Sequence, residues 1–170
     1  ALTTGKGNTA VGYQTLSAIT DAPGNVALGY GALKLNTSAD GNNIAIGSGS
    51  ISTGTGGYFN VCIGTQTGAG FGNANVGTCV LIGHVAGANI NNTGADATIA
   101  IGRSALGALT SGGQNIAIGY QALYTEDTGA RNTAVGHKAL RVLNYDGSGY
   151  NTALGYHAGY SATTGIENIF

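Results

Sequence analysis

The chain has 170 residues with a formal net charge of −1, and glycine fills 32 positions. Glycine every few residues excludes long helices, since each costs about 1 kcal/mol in a helix interior. No apolar run approaches the ~20 residues of a membrane helix, so no membrane insertion is expected, and a single proline without a three-residue glycine period excludes collagen. Val, Ile, Leu and Phe together supply 36 positions, too few for a large conventional core, while the low charge argues against disorder. Six basic residues, Lys6, Lys34, Arg103, Arg131, Lys138 and Arg141, are spread along the length. They form no patch that would neutralise successive phosphates, so no nucleic-acid partner is expected.

The first predicted strand is Asn8-Thr9-Ala10-Val11-Gly12. Its pattern is Asn, then Thr, Val or Ile, then Ala, then an aliphatic residue, then Gly. It returns at 25–29, 43–47 and 60–64, the last with Cys62 in the Ala place. Cys79-Val80-Leu81-Ile82-Gly83 and Thr98-Ile99-Ala100-Ile101-Gly102 replace the Asn. Regular copies resume at 115–119, 132–136 and 151–155, and Asn168-Ile169-Phe170 opens a tenth. The closing glycines advance by 17, 18, 17, 19, 19, 17, 17 and 19 residues. A period of about 18 marks a repeat architecture, and its variation indicates fixed strands joined by elastic loops. The sequence lacks Met and both ends fall inside a repeat, so residues 1–170 are expected to be a single array of about nine coils, cut from a longer array or its ordered part.

A second motif follows each glycine, as in Tyr13-Gln14-Thr15-Leu16, Tyr30-Gly31-Ala32-Leu33, Tyr120-Gln121-Ala122-Leu123 and His137-Lys138-Ala139-Leu140. Each unit therefore reads as a strand, a glycine bend, a second short strand and a variable loop. Within the pentad, alternation puts the second and fourth residues on one face and Asn with Ala on the other. The branched face is expected to fill the coil, and the Ala face to lie outside against an identical chain. Asn8, Asn25, Asn43, Asn60, Asn115, Asn132 and Asn151 are expected to form a structural amide ladder along the axis. Nine coils at ~4.8 Å per parallel step would make a rod ~45 Å long.

Residues 8–16 and 115–123 resemble the head repeats of trimeric autotransporter adhesins, and more closely the similar repeats of bacteriophage tail fibres. The resemblance covers essentially the whole chain. It implies an all-β fold, a parallel β-solenoid of the left-handed β-roll type wound as a homotrimeric rod. It also implies an extracellular role, on a virion tail fibre or a bacterial cell surface, in recognising or spacing a receptor. The partners implied are two identical chains and a cell-surface glycan or protein. The ~18-residue step exceeds the ~14 associated with adhesin heads, which favours the fibre relatives over an adhesin head. A rival is the hexapeptide acyltransferase, because aliphatic-Gly-x-x-small recurs. Only one hexad in three obeys, the positions six after Ile46, Leu28, Ile101 and Ile118 being Ser52, Lys34, Gly107 and Tyr124. Steps of 17 and 19 break the hexad phase, and no enzymatic activity is expected.

The residue after each pentad glycine forms a column: Tyr13, Tyr30, Ser48, Thr65, His84, Arg103, Tyr120, His137 and Tyr156. Facing solvent, it would be an aromatic stripe suited to sugar rings; facing a partner chain, it would be packing. The three histidines, with His157 beyond His137, form no metal set within one chain, although a trimer axis would bring three copies of one together. Cys62 and Cys79 share a strand face in neighbouring coils, which permits a strained axial disulfide or two buried thiols. The seven acids fall in variable loops without a catalytic pair, and no cofactor or metal is expected. The longest loops, 65–78, 86–97 and 141–150, are where specificity would reside, with Tyr145 and Tyr150 as candidate loop contacts.

Overall fold

A computed structural model describes residues 5–35, 37, 40–53, 57–71 and 76–170. Ala1, Leu2 and residues 72–75 of the 65–78 loop lie outside the described residues. Eleven short strands follow in chain order: β1 Thr9–Val11, β2 Val26–Leu28, β3 Ile44–Ile46, β4 Gly57–Tyr58, β5 Val61–Ile63, β6 Val76–Gly77, β7 Val80–Ile82, β8 Ile99–Ile101, β9 Ile116–Ile118, β10 Thr133–Val135 and β11 Thr152–Leu154. Among the described residues the sole helical segment is a single 3-10 turn, Thr93–Ala95. The nine pentad strands form one parallel sheet in the order β1-β2-β3-β5-β7-β8-β9-β10-β11. The register places like positions opposite one another, as in Ala10↔Ala27 and Ile101↔Ile118. The architecture is therefore a parallel β-solenoid in which each turn of ~18 residues stacks on the last.

The segment after each glycine is not the expected second strand. It is a run of turns in which the second and fourth residues take left-handed φ, for example Gln121 at 53° and Leu123 at 49°. Their N–H groups then point to opposite neighbours: Gln121 donates to the Arg103 carbonyl (3.1 Å) and Leu123 to that of Ala139 (3.0 Å). The segment is thus bonded above and below like a strand while curling like a turn. A left-handed non-glycine residue costs roughly 1–2 kcal/mol. Burying a leucine side chain returns roughly 2 kcal/mol, and Leu106, Leu123 and Leu140 are each fully buried. The second pairing in the coil lies instead before the pentad, where β4 pairs with β6 and Ala130 with Ser148.

The structure also reverses the expected faces. Ala27, Ala45, Cys62, Leu81, Ala100, Ala117, Ala134 and Ala153 are fully buried inside the coil. The branched residues point outward; Val11, Leu28 and Leu154 are 56%, 45% and 72% exposed. Coil diameter is the reason. The interior holds the leucine column of the turn segment (Leu106, Leu123, Leu140) and a second large column (Ile19, Phe71, Ile90, Leu109, Leu143), all buried. Only small side chains fit between the strand and these columns. Where Leu81 takes the Ala place, glycines face it: Cβ atoms added at Gly87 and Gly68 would lie 2.9 and 3.2 Å from its Cδ1.

The asparagines sit inside with the alanines, joined along the axis. Asn25 donates its backbone N–H (2.8 Å) and its Nδ2 (3.0 Å) to Asn8 Oδ1, and Asn43, Asn60 and then Asn132, Asn151 and Asn168 each donate to the copy before. The side-chain amides also cap loop carbonyls, as Asn43 does for Gly57 at 2.7 Å. Cys79 continues the series with its backbone N–H on Asn60 Oδ1 (2.9 Å), and Thr98 interrupts it with a buried hydroxyl that has no partner among the described residues. Each pentad glycine packs on the next. Gly83, at φ 129°, is where a Cβ would lie 2.8 Å from the Gly102 carbonyl carbon, so both conformation and space demand glycine.

Candidate functional site

The glycine bend turns the following side chain out of the coil, so the column lies on the surface. Tyr13, Tyr30, Ser48, Thr65, His84, Arg103 and Tyr156 are exposed, and Tyr120 and His137 are half-buried. One coil is about one ring thickness plus a gap, so rings in adjacent coils stack on one another. Tyr13 and Tyr30 stack at 5.6 Å between centroids. Tyr120 and His137 meet at 5.2 Å, and His137 and Tyr156 at 5.1 Å. The Arg103 guanidinium caps this second run, 5.6 Å from the Tyr120 centroid. Aromatic faces inside a run are thus occupied by neighbours, and open faces exist only where a run stops.

At its C-terminal end the column widens. His157 stacks on Tyr156 at 4.1 Å and on Tyr160 at 4.7 Å. Packing against these rings, and then the charges of Lys138 and His137, hold the His157 imidazole below its usual pKa. Arg141 lies over Tyr124, 5.3 Å from its centroid, and donates Nε to Gln121 Oε1 at 3.0 Å. Among the described residues no carboxylate pairs with Arg103, Lys138 or Arg141. His84 stands apart from the other two histidines, and no group of three or more His, Cys, Asp or Glu among the described residues is placed to hold a metal.

Tyr145 and Tyr150 are not part of this column. Tyr145 is half-buried and donates its backbone N–H to Glu126 Oε2 at 3.4 Å. Tyr150 is 54% exposed and lies under the Arg131 guanidinium, 5.7 Å from its ring centroid. Arg131 in turn donates to Gln114 (2.9 Å) and to the Ser148 hydroxyl. This side-chain ladder went unnoticed in the sequence, although Gln114, Arg131 and Tyr150 all immediately precede a pentad asparagine.

Three buried groups stand out chemically. Cys62 and Cys79 are free, buried thiols, so the axial disulfide is absent. Burial pushes the Cys62 thiol well up and Cys79 up to about 11. Glu126 occupies the large apolar column between Leu109 and Leu143 and is fully buried. Its Oε1 accepts the Gly129 N–H at 2.7 Å, and burial raises its pKa against the pull of that bond.

Between the two ring runs the column carries Ser48 and Thr65, and the surface there sinks into a hollow of about 350 Å³. No family model, curated protein or solved structure matches this chain.

Proposed function

We propose that this chain is a structural and attachment segment of a homotrimeric fibre, of the kind found in bacteriophage tails, that recognises or spaces a receptor on a cell surface. The observation that carries the reading is the outward face of the nine-stranded sheet. Its residues are aliphatic except Thr9, Thr133 and Thr152. They run over eight inter-strand steps, a band ~38 Å long at ~4.8 Å per step. A continuous apolar band of that length on a surface marks an interaction site. A second copy offers the same band with the same repeat, so aliphatic rows interdigitate along the whole rod. The branched face thus takes the packing role first expected of the Ala face. The count of three chains, the left-handed coil and the extracellular setting rest on the resemblance to tail-fibre and adhesin repeats.

Sedimentation mass tests the assembly. The wild type is expected near three times 16.7 kDa, and the double variant I101D/I118D, charged on two adjacent strands of the band, near the monomer mass with its fold retained by circular dichroism. A monomeric wild type refutes the reading; a variant that remains trimeric refutes the assignment of the face.

A further inference from the structure

We infer that the hollow beside Tyr30 binds an acidic pyranose, a hexuronate unit of a surface glycan. This rests on the attachment role and gives it a place. Tyr13 covers one face of the Tyr30 ring. On the next two coils the column carries Ser48 and Thr65, too small to cover the other face, and Tyr30, Ser48 and Thr65 line a hollow of about 350 Å³. The same column on later coils carries Tyr120, His137 and Tyr156, which stack on one another. The hollow therefore comes from the choice of residues and not from the coil.

Its chemistry matches a sugar ring. A pyranose has one C–H-rich face, which packs on an aromatic ring, and a rim of hydroxyls that must be hydrogen-bonded. Tyr30 supplies the ring. Ser48, Ser52 and Thr65 supply hydroxyls and Gln66 an amide around it. Among the described residues none of these four side chains is bonded within the protein, so each is available to a ligand. Lys34 adds an ammonium to the lining, and among the described residues no carboxylate lines the hollow. Among the described residues the half-buried Lys34 ammonium has no carboxylate partner, so it favours an anionic substituent on the sugar, here taken as the exocyclic carboxylate of a uronate. The volume lies at the low end of small-ligand sites, room for one ring and part of its neighbour.

Calorimetric titration with the methyl glycosides of glucuronate and galacturonate, against methyl glucoside and methyl galactoside, tests the site. At least one uronate is expected to bind in the millimolar range and at least fivefold more tightly than its neutral counterpart. S48Y extends the Tyr13–Tyr30 run with a residue the column already accepts elsewhere. It is expected to weaken uronate binding more than tenfold without change in mass or circular dichroism, as is Y30A. K34Q is expected to bring acidic and neutral sugars to equal affinity. Absence of uronate binding, or binding undiminished in S48Y, overturns the site; a K34Q variant that still prefers the acid overturns the role of the ammonium. The titration reads sugar and not mass, so a monomeric chain that binds uronate removes the fibre and keeps the site, whereas a trimer that does not bind removes the site alone.

Discussion

Replacing Leu81 with alanine probes which face of the strand is inside. Leu81 is fully buried, between Cys62 and Ala100 in strand register. The substitution removes three carbons, roughly 2.4 kcal/mol at about 0.8 per buried carbon. The walls facing the loss are Gly68 and Gly87, whose lack of side chain leaves nothing to swing into the space. The cost should fall in the upper part of the ~2–5 kcal/mol range for buried leucines. G87L alone overpacks, because its Cβ would lie 2.9 Å from both Leu81 Cδ1 and Ile90 Cδ1; it should cost ~1–3 kcal/mol. Together the two changes recreate the Ala100 and Leu106 arrangement of the next coil, and φ at Gly87 (54°) already matches that at Leu106 (50°). The double variant is expected within about 1 kcal/mol of wild type, a coupling of several kcal/mol where independent sites add. Urea unfolding followed by circular dichroism at one fixed protein concentration measures all four proteins. An L81A cost below about 0.5 kcal/mol, typical of a surface position, or additive effects in the double variant, would refute the inward Ala face.

The buried Glu126 gives stability a pH dependence. Its folded pKa is raised, so between the ordinary carboxyl value near ~4.3 and the raised one the native state holds a proton that the unfolded state releases; stability falls as pH rises through that window. E126Q keeps an acceptor for the Gly129 N–H and removes the charge. Thermal melts should show E126Q a few degrees above wild type at pH 7 and no more stable at pH 4, whereas an equal gain at both would sink the argument. Burial and raised pKa values should keep Cys62 and Cys79 inert to a thiol reagent in the native protein. Denaturation without reductant should release two reactive thiols, and recovery of none would mean a disulfide after all.

Much of the fold was legible in the residues themselves. The pentad spacing fixes the number of strands in the main sheet, their parallel order and the ~18-residue step, because a repeated unit stacks on its like. Alternation within Asn25–Gly29 separates two faces but carries no sign, since Val26 and Leu28 would fill a wide coil as well as cover a narrow one. Only the closed turn, with Leu33 and Ile51 reaching across, sets the width and so sends Ala27 and Ala45 inward. A signal for this was present: Leu81 in the Ala place coincides with Gly68 and Gly87 in the leucine places, an exchange of volume that makes sense only if the two positions meet. The left-handed turn segment was hidden for a different reason. Leu123 and Gln121 are poor left-handed residues in isolation, and it is hydrogen bonds to the coils on either side that hold them there. The surface column was readable by position, but the stacking of Tyr120 on His137, and the hollow where Ser48 breaks the run, depend on the distance between coils. The sequence by itself determined the repeat, its order and which side chains share a face; the tertiary structure decided which face is interior and where the surface opens, because those depend on the diameter of a coil that no single unit contains.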